Sequence, residues 1–251
     1  MDLKATSDSS HHSSSADRPV VVASARATVA IRFRIGGVLR FLSHAQMLRV
    51  FERALARSAV PVRYTEGFNP HPRLSLPLPR PVGVRSDDEL LVARVTGDFA
   101  DRRLEDRSGY ETAVKEALAE QLPEGIEVLE VALAAPHASF HPQWAEYVFP
   151  LRTTGATDLI GALNERIDGV MASATCVVER IAPEGKATRR VDVRPFLRSA
   201  RLEGANLVVQ YAIGPAGSIR VDEIVQLFGL RIQDLAGPVR RTNVVWETTK
   251  E

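Results

Sequence analysis

A single cysteine, Cys176, occurs in 251 residues. One thiol excludes an internal disulfide, a cysteine-ligated zinc site and a cysteine-held iron–sulfur cluster within one chain. Long apolar runs are equally lacking. Val20-Val21-Val22-Ala23 is far too short to cross a bilayer, and no apolar core follows a basic start as a secretory signal requires. These absences point to a cytoplasmic protein with no membrane partner. Large apolar groups are almost missing from the opening MDLKATSDSSHHSSSADRP, so residues 1–26 are predicted to be a disordered, Ser-rich tail. His11-His12 is too short for a metal tract. His137 and His141 lie among prolines that oppose a helix and have no carboxylate beside them, so no metal site is expected there.

Net charge is also small, at +1, but that average conceals a division. Arg26 to Arg80 holds ten arginines against Glu52 and Glu66, a net of +8. Asp98 to Glu130 holds ten acids against four bases, a net of −6. A basic half implies an anionic partner, nucleic acid foremost. Mutual neutralisation of the two regions across one surface is the alternative.

What is present in abundance is concentrated between Arg40 and Pro81. Ser43 and Gln46 have the spacing of a capping box, followed by Met47, Leu48, Phe51 and Leu55 at helical intervals. Arg49, Arg53 and Arg57 form a stripe on the outer side. His44 is predicted to lie on the inward face at the helix start, where free backbone N–H groups favour anions. Val60 to Tyr64 reads as a short strand. The loop Glu66-Gly67-Phe68-Asn69-Pro70-His71-Pro72 then combines a carboxylate, an aromatic, an amide and an imidazole on a backbone stiffened by prolines. Rigid loops with such decoration are where binding sites are usually built. The other reading is a plain structural turn, since Asn-Pro often initiates one.

Thr28 to Ile35 alternates as a strand with one buried face, and Glu89 to Thr96 reads as another. A helix over Glu111–Gln121 and a strand over Ile126–Leu133 complete a β-α-β-β-α-β order, the ferredoxin-like arrangement. The pattern recurs after a linker at 136–143. Strands are predicted at Tyr147–Leu151, Thr175–Ile181, Thr188–Val193 and Leu207–Ile213, with an extra turn around Pro195. Helices are predicted from Leu159 to Gly169 and over Val221–Phe228, with a last strand at Val239–Trp246. The expectation is an α+β protein of two tandem ferredoxin-like domains with antiparallel sheets, at 27–135 and 144–251.

The string RFLSHAQMLRVFERALARSAVPVRYTEGFNPHPRLSLPLPRPVGV closely resembles the radical SAM-linked domain family. Arg40 to His44, Phe51 to Leu55 and Glu66 to Pro72 carry that resemblance, with Val191 to Pro195 and GPAGSIRVDE (Gly214 to Glu223) in the second half. The likeness extends over nearly everything after residue 27. Two departures occur at packing positions, Ala45-Gln46 where the family has Leu-Asp and Val221 where it often has Pro. The resemblance implies a bacterial domain of uncharacterised function, fused to or encoded beside cobalamin-binding-type radical SAM proteins. A radical SAM protein is therefore the implied partner, although this chain lacks the three cysteines of such a cluster. No cofactor of its own is expected.

Two functions are compatible with these residues. The first is a non-catalytic accessory module that binds RNA, such as tRNA or rRNA. Arg32, Arg34, Arg40, Arg63 and Arg73 would hold phosphates and Phe68 would stack on a base. Against a sequence-reading module, the strands Thr28–Ile35 and Glu89–Thr96 carry no outward aromatics. The second is a metal-independent RNA-processing enzyme using His44, Tyr64, Glu66 and His71 for proton transfer. It requires at least two of these groups to converge on one cleft. The expected binding set is Arg40, Ser43, His44, Arg63, Tyr64, Glu66, Gly67, Phe68, Asn69, Pro70, His71 and Arg73. The loop amide and imidazole, Asn69 and His71, are predicted to sit beside the Ser43–His44 helix start.

Overall fold

The computed structural model describes residues 25–97, 107–152, 157–181 and 188–249. The Ser-rich opening through residue 24 lies outside the described residues. Among the described residues the protein is mixed α+β, with four α-helices and a mostly antiparallel sheet. In the first half, β1 (Ala25–Ile35) is followed by a 3₁₀ turn (Gly37–Phe41) and α1 (His44–Arg57). After them come β2 (Leu74–Ser75), β3 (Arg85–Gly97), α2 (Arg107–Ala119) and β4 (Ile126–Ala134). The second half runs β5 (Ser139–Pro150), α3 (Thr157–Ala172), β6 (Val177–Ile181), β7 (Thr188–Asp192), β8 (Leu197–Glu203), β9 (Asn206–Ala212), α4 (Val221–Leu227) and β10 (Arg240–Thr249).

One sheet runs through both halves in the order β4-β1-β3-β10-β5-β9-β8, and β2 pairs with β3 beside that path. The joint is short and parallel: Arg240 and Arg241 of β10 pair with Arg85 and Ser86 of β3. Each half has its own core. Val29, Ile31, Phe33 and Ile35 alternate along β1 and pack with Phe51, Leu55 and Leu118 of the helices. Tyr147, Phe149, Leu207 and Val209 do the same with Leu163 and Ile224 in the second half. Burying each such side chain contributes about 1.5–3 kcal/mol.

Strand β3 is buried on both faces, because Leu90 and Val92 are covered by Phe140 and Trp246 opposite the helices. That accounts for its near-continuous apolar run. The Ser43 box forms as its spacing predicts. The hydroxyl accepts from the Gln46 N–H at 3.3 Å, and the Gln46 side chain accepts from the Ser43 N–H at 2.9 Å.

Three expectations need correction. The passage read as a linker is strand from Ser139 onward, since His141 and Pro142 pair with Glu247 and Trp246 of β10. The strands at Val177–Ile181 and Thr188–Asp192 pair only with each other, as a separate two-stranded hairpin. Their place in the main sheet is taken by β8, which the sequence reading passed over as a turn around Pro195. Thirdly, Val60–Tyr64 is no regular strand; it touches its neighbours through isolated bridges, Val62 to Val95 and Tyr64 to Pro72.

Candidate functional site

The loop singled out in the sequence is the tip of a hairpin that leaves the sheet at the edge of β3. Its two arms close on each other through Tyr64 and Pro72. The Thr65 N–H donates to the His71 carbonyl at 2.8 Å, and the His71 N–H donates to Thr65 Oγ1 at 2.9 Å. Gly67, at φ +127°, supplies a backbone angle that other residues adopt only with strain. Glu66 to His71 are exposed, and Phe68 is fully so, at 108%. Tyr64 is half exposed. The tip is therefore held by its own backbone, and its side chains are left to solvent.

Beneath the tip lies a closed ring of backbone hydrogen bonds among three arginines. The Arg63 N–H donates to the Arg94 carbonyl at 2.7 Å, Arg94 to Arg73 at 3.0 Å, and Arg73 to Arg63 at 2.7 Å. Arg94 sits between Ala93 and Val95, both in the helix-side core, so its side chain projects from the opposite face. Arg63 and Arg73 are bound directly alongside, and side chains of paired residues share a face. The fold thereby crowds three guanidiniums together. Burial lowers the Arg94 pKa, and repulsion from Arg63 and Arg73 lowers it further.

The partners of these groups are neutral. Arg94 donates to Thr28 Oγ1 and to the Pro136 carbonyl, and Arg73 Nε reaches the Tyr64 carbonyl at 3.4 Å. Among the described residues no carboxylate forms an ion pair with Arg63, Arg73 or Arg94. Other arginines of the basic half are committed elsewhere. Arg32 pairs with Asp88 and Glu130, and Arg34 with Glu127.

The remaining candidates lie at the far end of the sheet. Ser43 and His44 line a small cleft with Phe33, Leu78, Arg80 and Glu89. His44 is exposed, contrary to the inward placement expected of it. The helical stripe rotates it toward the rim, while Met47 takes the buried position. Arg40 stacks over the Phe41 ring at 4.2 Å and donates to the Gly37 carbonyl at 2.6 Å. This cleft is at Glu89, whereas the hairpin base is at Val95. Six residues of strand separate them, about 20 Å. Asn69 and His71 therefore rise from the opposite end of the sheet to the helix cap, because Val60–Val62 pairs with the end of β3 and not its beginning. His44 and His71 do not share a cleft. Sequence reasoning missed Arg94. The only signal was an isolated charge inside the apolar run LLVARV.

Among the described residues no group of three His, Cys, Asp or Glu side chains could hold a metal ion. No described helix is long and apolar enough to cross a membrane. A family described as an uncharacterised protein conserved in bacteria (DUF2344) matches residues 28–222. No curated protein matches the chain in sequence. Among solved structures, the acetolactate synthase small subunit from Thermotoga maritima matches at 12% identity, over 90% of this chain and 99% of that one. Its TM-score is 0.21, too low to carry any argument about the fold or the site.

Proposed function

The chain belongs to that uncharacterised bacterial family, and from this premise we propose that it is a non-catalytic accessory module that binds RNA through the arginine-ringed hairpin. The observation that carries the reading is the ring itself. Three guanidiniums are forced onto one spot with no carboxylate paired to them among the described residues, and an external anion is what such a cluster attracts. Two aromatics on the same hairpin, Tyr64 and Phe68, are exposed. A cationic surface tracking a backbone beside exposed aromatic faces is the usual means of holding single-stranded nucleic acid without reading its sequence.

The finer assignments follow the same logic. Each half has its first strand between its third and its last in the sheet. This supports the reading as tandem ferredoxin-like units, the second carrying the β6–β7 hairpin as an insertion. The motif resemblance supports a radical SAM protein as the enzyme to which RNA is presented. Anisotropy with a fluorescein-labelled single-stranded RNA tests the reading. The expected result is saturable binding whose log K falls with log salt by about 0.7 per phosphate neutralised. Absence of binding at low salt, or binding unaffected by Arg63→Ala with Arg73→Ala, would overturn it.

A further inference from the structure

A second, chemically distinct concavity lies where the two halves meet. Its volume is about 540 Å³, within the range of small-molecule sites. One wall is the proline-rich passage after β2, with Leu78 and Val82; the other is Ile219, Val225 and Ile232 of the second half. Val82 is 60% exposed and Ile232 is 87% exposed, so each half contributes one large apolar side chain to the rim.

Its polar lining is made of two phenols, Ser218, and the charged side chains of Arg220 and Asp222 near the start of α4. Tyr147 and Tyr211 both reach the groove, with ring centroids 5.4 Å apart. Behind them is a buried charge cluster. Arg241 Nη2 lies 2.5 Å from both Glu89 oxygens, and its Nη1 lies 3.5 Å from the Tyr147 hydroxyl. Arg80 donates to the carbonyls of Val84 at 2.6 Å and Arg40 at 2.7 Å. Burial lowers the Arg80 pKa; Glu89 raises it, and Arg241 lowers it again. Arg241 is thus paired with Glu89, while Arg80, held by carbonyls, adds a second guanidinium near that carboxylate in a poorly solvated place. Burial holds the Tyr211 phenol well above its ordinary pKa, and a hydrogen bond with Tyr147 joins the two hydroxyls.

We infer that this groove binds a small amphipathic anion, its apolar body against the Val82 and Ile232 walls and its anionic head accepting from the hydrogen-bonded Tyr147–Tyr211 pair. The apolar walls favour a ligand with an apolar body, and the guanidiniums of Arg80 and Arg241 behind the phenols favour a negative head at that end of the groove. The site is independent of the hairpin, which is built on a different part of the sheet.

Fluorescence titration of the full chain with 8-anilinonaphthalene-1-sulfonate tests this, with N-phenyl-1-naphthylamine as the same kind of aromatic body without the anionic head. One saturable site for the sulfonate is expected, with affinity well above that for the amine. Tyr211→Phe should weaken the sulfonate roughly tenfold, the worth of one hydrogen bond to a charged group, and leave the amine unchanged. Ile232→Glu, at an exposed rim position that cannot disturb folding, should also weaken the sulfonate. It decides the matter should Tyr211→Phe fold poorly. RNA binding should be unchanged in both variants, which keeps this test separate from that of the hairpin. Unsaturable binding, equal affinity for the two probes, or a sulfonate affinity indifferent to both substitutions would overturn the inference.

Discussion

At the seam between the halves, Arg240 meets Asp87 at 2.7 Å and Arg241 meets Glu89 at 2.5 Å. At the hairpin base Arg63, Arg73 and Arg94 crowd one another, and among the described residues the side chains of Arg73 and Arg94 donate to neutral oxygens. Three consecutive acids explain the first arrangement, for Asp88 between them accepts from the Val244 N–H at 2.9 Å and from Arg32 at 3.0 Å. The two parallel residue pairs joining β3 to β10 are thus reinforced by carboxylates on both faces. Arginine there is structural, satisfied within the chain. At the hairpin the same side chain is brought together by backbone pairing, with no carboxylate paired to it among the described residues. The difference teaches that arginine density alone does not single out a candidate surface; what separates the two regions is whether a carboxylate is paired among the described residues.

The largest effect should come from breaking the seam. Glu89→Ala strands the buried Arg241 without a partner, and should cost about 3–5 kcal/mol in urea denaturation. A loss below 1 kcal/mol would mean that the pair contributes little to joining the halves. The converse experiment removes charge from the hairpin. Arg63→Ala with Arg73→Ala should weaken single-stranded RNA by roughly 3 kcal/mol, two charge-assisted contacts, and shift stability by no more than about 0.5 kcal/mol. A melting temperature lowered by many degrees would instead make the cluster structural.

A smaller change is expected at the tip. Phe68→Ala should reduce RNA affinity by about 1 kcal/mol, the lower end for one stacked base, with melting unchanged because the ring is fully exposed among the described residues. Equal affinity of variant and parent would remove stacking from the reading. The least effect concerns pH. Glu223 is desolvated, yet Arg180 at 2.5 Å and the Arg220 N–H hold its pKa below the ordinary 4.5. Its contribution is therefore complete above that value and declines as pH falls through the depressed pKa. Thermal melts should be flat through neutrality and fall below about pH 4.5, and Glu223→Gln should flatten part of that acid limb.

Much of the local structure was legible. The alternation of Val29, Ile31, Phe33 and Ile35, and the helical spacing of Met47, Phe51 and Leu55, report which face is buried wherever partners are found. The Ser43–Gln46 box is local by nature, as is the composition of the hairpin tip. Less visible were β8, whose edge position gives it only a weak alternation, and the strand that begins among the prolines at Ser139. Pro142 is tolerated there because it pairs with Trp246 across a bulge.

The sequence by itself determined the element types, the apolar faces, the cap of α1 and the stiff, solvent-facing chemistry of residues 66–72. Each depends on residues within a turn or two of one another. Tertiary structure alone decided which charges meet. Arg94 joins Arg63 and Arg73 because the arms of the hairpin add to the end of β3, and His44 is parted from His71 for the same reason. Glu89 reaches Arg241, 152 positions away, because β10 lies beside β3. Sheet register joins residues that no local pattern relates, and that register is chosen by burying two cores at once.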